Sequence, residues 1–140
     1  MTQGRFVQEY QKNAVVGASP LQLVIMLYDG ALRAMELGKQ AMSQKDLERQ
    51  NSSIQKAQKI VLELTACLDL SLGGDVAKNL FALYTYVVEQ LVEANVQDKP
   101  EPIDRAIKVI SDLRESWVEL ERRVSTGEVV VPTKPTAAAA

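Results

Sequence analysis

Cys67 and the adjacent pair Gly73 and Gly74 are the residues of this sequence whose types could support chemistry. A cysteine becomes a nucleophile only in an accessible, electropositive site, so Cys67 is better interpreted as a small buried hydrophobic residue. The glycine pair lacks the lysine and the serine or threonine of a phosphate-binding loop, and it is typical of a turn. Neither feature predicts a catalytic site.

The sequence contains no histidine, which argues against several classes of enzyme. Ser-His-Asp and Cys-His catalysis, most catalytic zinc sites and carboxylate di-iron bundles all use an imidazole. Enzymes built on carboxylates, lysine or tyrosine stay possible in principle, but these residue types form no cluster along the chain. We therefore expect a protein that is not an enzyme and that binds neither a metal nor another cofactor.

Charge and hydropathy argue against nucleic acid and membrane partners. The net charge is −2, and the basic residues are scattered among acidic ones instead of forming a basic face. The longest apolar run, Leu23 to Tyr28, is far too short to cross a bilayer, and residues 1–5 lack the apolar core of a secretory signal. A single cysteine cannot form an internal disulfide, so we expect a cytoplasmic protein. The length of 140 residues fits a single domain.

Apolar residues recur every three or four positions in four segments, which predicts an all-α fold. The first helix has a strong start signal, because Ser19 can cap it, Pro20 suits the first helical position and Gln22 completes a capping box. Asp46 has the character of the cap of the second helix. The predicted helices cover roughly residues 19–45, 46–70, 75–95 and 98–124.

Short connections between long helices favour an antiparallel, up-down-up-down four-helix bundle. We assign residues 19–124 to this bundle and residues 1–18 to an N-terminal cap that is extended or a short helix. Residues 125–140 contain Gly127, Pro132 and Pro135, and we expect a disordered tail there. Gly30 and Gly38 inside the first helix each reduce its stability relative to alanine, and the close approach of a neighbouring helix at these positions would compensate for that loss.

Two helices carry more apolar residues than one buried stripe requires. The run from Leu23 to Tyr28 occupies every side of the first helix, and the third helix adds Phe81 and Tyr86 to its stripe. Either other parts of the chain cover these side chains, or they form a groove for an amphipathic partner helix. Trp117 falls on the stripe of the fourth helix and is interpreted as a core residue.

A series of ordered blocks resembles the FliS-type flagellar export chaperones over about residues 10–124. Each block is weak alone, but their order and spacing are specific. The blocks are Tyr10 with Asn13, Ala18-Ser19-Pro20 with Leu23, Met26-Leu27-Tyr28-Asp29-Gly30-Ala31, Lys56-Ala57 with Ile60, Glu63-Leu64, Leu68-Asp69, Gly73-Gly74, Ala77, Asn79-Leu80, Leu83-Tyr84 with Tyr86, Leu91, Ala94-Asn95 and Trp117.

The resemblance implies a cytoplasmic helical bundle that binds the disordered C-terminal segment of flagellin. That segment becomes helical around the chaperone, which prevents premature polymerisation and helps to deliver flagellin to the type III export gate. The N-terminal segment of such proteins can lie over the hydrophobic surface, and Val7 and Tyr10 match its apolar positions. The alternative is a related helical adaptor for another secretion substrate or for a flagellar regulator such as an anti-sigma factor.

These considerations predict a set of partner-binding residues in the N-terminal segment and on the first and third helices. We expect the partner to contact Val7, Tyr10, Leu23, Met26, Leu27, Leu80, Phe81, Tyr84 and Val87.

Overall fold

A computed structural model describes residues 19–71 and 73–129 of the chain. These residues form four α-helices and no strand, which confirms the predicted all-α fold. The second helix ends earlier than predicted, at Ala66 instead of near Leu70. Val7, Tyr10 and most of the predicted tail lie outside the described residues. The helices are α1 (Pro20–Ser43), α2 (Leu47–Ala66), α3 (Gly74–Gln97) and α4 (Glu101–Ser125).

The starts of α1 and α2 follow the side chains that cap them. The Ser19 hydroxyl accepts a hydrogen bond from the Gln22 backbone N–H at 3.1 Å, and the Gln22 side chain accepts one from the Ser19 N–H at 2.8 Å. The Asp46 carboxylate accepts from the Arg49 backbone N–H at 3.1 Å. Because these bonds satisfy N–H groups that have no partner within the helix, both predicted caps are confirmed.

The four helices form an antiparallel bundle in which each helix packs against its neighbours in sequence and α1 also packs against α4. Lys39, near the end of α1, forms an ion pair at 2.6 Å with Asp104, near the start of α4. Asp29, nearer the start of α1, pairs with Arg114 farther along α4. The order of these pairs places α1 and α4 antiparallel, as the up-down topology requires.

A buried amide fixes the end of the bundle where α2 begins and α3 ends. Gln50 is 2% exposed, and its side-chain N–H groups donate to Asn95 at 3.2 Å and to Asp98 at 2.8 Å. Asp98 ends α3 with a left-handed backbone, at φ 55°. These hydrogen bonds satisfy a polar side chain that would otherwise be costly to bury, and they hold the α3–α4 turn against α2.

The core lies along the axis of the bundle and receives side chains from all four helices. Gly38 of α1 allows a close approach of α1 to α2, because a Cβ atom built at this position would lie 2.9 Å from Cγ1 of Ile54 on α2. The compensation expected for Gly38 is therefore present. The largest core side chains are Tyr28, Met35, Ile54, Ile60, Val61, Tyr84, Val87, Leu91, Ile103 and Ile110.

Two tyrosines meet inside the bundle across its diagonal. The hydroxyl oxygens of Tyr28 on α1 and Tyr84 on α3 lie 2.5 Å apart, and the two rings pack edge to face with their centroids 6.4 Å apart. Burial raises the pKa of both hydroxyls, so both stay protonated. Trp117 of α4 packs against Tyr28, also with ring centroids 6.4 Å apart, and its side chain is half-buried against the core.

Candidate partner-binding clefts

A cleft of about 340 Å³ opens between the outer edges of α1 and α2. Small residues of α1, Gly30 and Ala34, leave space between the two helices. Met26 and Leu37, one on each side of these small residues along α1, give the cleft apolar walls. We call this site the α1/α2 cleft, and it is completed by Asp29, Arg33, Ser53 and Lys56.

The charges of the α1/α2 cleft do not cancel. The Asp29 carboxylate is already paired with Arg114 of α4. Arg33 from α1 and Lys56 from α2 form no ion pair with any other described residue. The cleft therefore combines an apolar surface with two cations that are available to a ligand.

A second groove lies on the other side of α2, against α3. Leu62 of α2 is 52% exposed, and Val92 and Val96 of α3 are 44% and 76% exposed. All three line a groove of about 390 Å³. We call it the α2/α3 groove; its rim is formed by Gln55, Gln58, Lys59 and Asn95.

The apolar surface of α3 extends beyond this groove. Phe81 is exposed and Val88 is half-buried. Together with Val92 and Val96, these residues form a series with intervals of seven, four and four positions. Such intervals place all four on one flank of the helix, beside the stripe that enters the core. The surplus apolar character of α3 is thus an accessible surface rather than additional core.

The predicted partner-binding residues divide between the surface and the core. Met26 lines the α1/α2 cleft, and Phe81 is exposed on the flank of α3. Leu23 and Leu80 are half-buried. These four side chains are accessible to a partner in whole or in part, and their role in binding stays a prediction.

Three other predicted partner-binding residues do not lie at the surface, namely Leu27, Tyr84 and Val87. All three are buried in the core, with exposed fractions of 4%, 2% and 0%. A partner cannot reach them while the four helices stay together. These residues belong to the stripes that face the bundle axis, and their contact with a partner stays a prediction that requires the helices to move apart.

Sequence reasoning missed most residues that line the two clefts. The predicted partner-binding set does not include Leu37, Leu62, Val92 or Val96, although each is an apolar residue that falls outside the buried stripe of its helix. That departure from the stripe is the signal that could have identified them. The prediction for Cys67 was also wrong, because Cys67 is exposed at the C-terminal cap of α2.

Partial burial and the nearby Glu63 raise the pKa of the exposed Cys67 thiol above its usual value. A raised pKa lowers the fraction of thiolate at neutral pH, and the thiolate is the reactive form. The environment of Cys67 therefore disfavours nucleophilic chemistry.

Glu63 of α2 is an acidic residue in a largely buried position. It is 7% exposed, and its Oε2 atom has no hydrogen-bond partner in the part of the chain that the structure describes. Burial raises the pKa of this carboxyl above its usual value of 4.5. Folding therefore disfavours the ionised form of Glu63.

We expect Glu63→Met to raise the melting temperature at pH 7 and to lose this advantage as the pH falls below about 4. Because the pKa of Glu63 is higher in the folded than in the unfolded chain, burial of Glu63 costs no stability at a pH below the unfolded-state pKa. As the pH rises above the unfolded-state pKa, the folded wild-type chain is progressively destabilised. Melting curves between pH 3.5 and pH 8 would measure the difference. Glu36→Met, at an exposed position of α1, is the matched control. An unchanged or lowered melting temperature for Glu63→Met at pH 7 would contradict the expectation.

No cluster of three or more potential metal-ligating side chains occurs within residues 19–71 and 73–129. None of the four helices described is long and apolar enough to cross a membrane. An apolar groove between two helices is a surface on which an amphipathic partner helix can bury its apolar face.

Comparison with known proteins gives the family. The family model described as Flagellar protein FliS matches residues 3–124. The chain belongs to this family, FliS, whose curated relatives carry the name flagellar secretion chaperone. The relative from Vibrio cholerae serotype O1 is 35% identical over 118 residues, covering 81% of this chain and 87% of the relative.

Two further relatives cover similar shares of the chain. The FliS of Bacillus subtilis is 32% identical over 117 residues, covering 81% of this chain and 86% of the relative. The FliS of Salmonella typhimurium is 32% identical over 124 residues, covering 88% of this chain and 92% of the relative. The resemblance noted in the sequence is thereby confirmed.

Proposed function

We propose that this chain is an export chaperone that binds the C-terminal helical region of flagellin in the cytoplasm. It prevents premature polymerisation of flagellin and assists delivery to the flagellar type III export apparatus, which receives chaperone and substrate as a complex. The observation that carries the proposal is the accessible apolar surface on both sides of α2, in a chain of the FliS family.

The chemistry of the two partners is complementary. The terminal regions of flagellin form helices that pack through apolar stripes in the filament, so these stripes need cover while the subunit is unassembled. An amphipathic helix buries its apolar face in a groove such as the α2/α3 groove, and the amides around that groove can bond its polar edges. Ordering of the guest segment opposes binding, which moderates the affinity and favours later release.

The N-terminal residues Val7 and Tyr10 belong to the proposal through the sequence pattern alone. We propose that they take part in binding or regulate access to the apolar surface. Neither residue lies in the described part of the chain.

The test combines the full chain with the C-terminal region of the flagellin from the same genome. We expect a complex of one copy each at micromolar concentrations, measured by titration calorimetry and sedimentation, and a gain of helicity in circular dichroism. The absence of both binding and helix gain would refute the proposal. Capture of a different flagellar protein in place of flagellin, such as an anti-sigma factor, would favour the alternative adaptor role.

The double variant Leu62→Glu/Val96→Glu tests the α2/α3 groove. Both side chains are exposed, so we expect the free energy of unfolding to change by about 0.5 kcal/mol or less per site, while flagellin binding weakens at least about tenfold. Val118→Glu on α4 is the control, because Val118 is exposed outside both clefts. Equal affinities for the double variant and the control would place the contact elsewhere.

A further inference from the structure

The cations of α2 differ from those of α4 because they form no ion pair with the residues that the structure describes. Every lysine and arginine of α4 forms an ion pair with a carboxylate. From Arg49 to Leu62, α2 has no acidic residue, and its cations Arg49, Lys56 and Lys59 are exposed and form no ion pair with a described residue. A chain with a net charge of −2 thus carries, from Arg49 to Leu62 of α2, a stretch in which every charged residue is basic.

The α1/α2 cleft is the place where this basic face meets an apolar surface. Lys56 lines the cleft from α2, and Arg33 lines it from α1. The one carboxylate among the lining residues, Asp29, is held by Arg114. A ligand that fills the apolar space between Met26 and Leu37 would therefore have unpaired cations from both helices at its edges.

The two terminal segments of the chain outside the described residues do not complement this charge. Residues 1–18 contain Arg5, Lys12 and a single acidic residue, Glu9. Residues 130–140 contain Lys134 and no acidic residue. Since the side chains of both segments carry a positive net charge, charge complementarity favours an occupant from another polypeptide.

We propose that the α1/α2 cleft binds an acidic amphipathic helix of the guest polypeptide, with carboxylates on the helix pairing with Arg33 and Lys56. The helix places its apolar stripe against Met26, Ala34 and Leu37. The inference rests on the proposed function, which identifies the guest as an export substrate. It goes further by specifying that the segment of the guest bound in this cleft is acidic. The cations select acidic segments and orient them, whereas the apolar contacts supply most of the affinity.

The experiment uses two synthetic helical peptides of equal length that share one leucine stripe and carry either glutamate or lysine on both sides of it. We expect the full chain to bind the glutamate peptide about tenfold more tightly in 50 mM salt, because two exposed ion pairs form. The preference should shrink in 500 mM salt, where screening is stronger. Fluorescence anisotropy of labelled peptides would measure both affinities.

The variant Arg33→Glu/Lys56→Glu should reverse the preference. The double variant Lys78→Glu/Lys99→Glu makes the same change of net charge away from the cleft and should retain the preference for glutamate. Equal effects of the two double variants, or a preference that survives Arg33→Glu/Lys56→Glu, would overturn the inference. Failure of flagellin to bind the wild-type chain, with the peptide preference intact, would instead count against the proposed function alone.

Discussion

Tyr84→Ala is expected to lower the free energy of unfolding by about 3–5 kcal/mol, a large share of the roughly 5–15 kcal/mol that stabilises a typical domain. Tyr84 is 2% exposed, and its ring packs against Tyr28 at the centre of the bundle. Removing it leaves a large cavity and also deprives the Tyr28 hydroxyl of its partner at 2.5 Å. Urea denaturation followed by circular dichroism would measure the loss.

Two milder variants separate the hydrogen bond from the packing. Tyr84→Phe keeps the ring but removes the Tyr84 hydroxyl from the buried Tyr28 hydroxyl, which then retains only Trp117 as a partner, so we expect a cost of about 1–3 kcal/mol. Tyr28→Phe/Tyr84→Phe removes both hydroxyls and should cost less than the sum of the single variants, because neither hydroxyl is left buried without the other. Strictly additive effects would show that the two hydroxyls do not interact.

Phe81→Ala is the control at the surface for the same helix. Phe81 is 44% exposed, so its loss should affect stability far less than the loss of Tyr84. A stable Tyr84→Ala variant with impaired flagellin binding would contradict the burial of this residue. It would restore Tyr84 to the partner-binding surface that the sequence suggested.

The fold was predictable because its signals are local. Ser19, Pro20 and Gln22 determine the start of α1 through neighbouring side chains and backbone groups. Asp46 does the same for α2, and the three-to-four spacing of apolar residues determines which side of each helix faces inward. The end of α2 was less predictable, because the apolar Leu68 and Leu70 continue the pattern beyond the last helical residue.

The clefts were less predictable because they depend on pairs of helices. Apolar excess on α3 was evident from the sequence, but periodicity alone did not separate Phe81, which is exposed, from Tyr84 and Val87, which are buried. That distinction follows from the positions of α2 and α4 on either side of α3. The free charge of the α1/α2 cleft likewise depends on Arg114 of α4, which lies 85 residues from Asp29 and neutralises it.

Gly38→Val is expected to destabilise the bundle by about 3 kcal/mol through overpacking. Even a single Cβ atom at this position would lie 2.9 Å from Cγ1 of Ile54, closer than van der Waals contact allows. Valine adds two further methyl groups to the same space, and its branched side chain has restricted freedom to turn away within a helix. The close packing of α1 on α2 would have to loosen, which also exposes neighbouring core residues to water.

Ile54, the residue that contacts position 38, provides the control for the effect of Gly38→Val. Ile54→Ala alone should cost about 2–5 kcal/mol, because it leaves a cavity opposite Gly38. In Gly38→Val/Ile54→Ala the added methyl groups occupy that cavity, so the double variant should be more stable than the sum of the two losses predicts, by about 1 kcal/mol or more. Chemical denaturation of all four proteins gives this coupling free energy directly. A coupling near zero would mean that α1 and α2 are not in contact at Gly38, and the geometry that opens the α1/α2 cleft beside Gly30 and Ala34 would then be wrong as well.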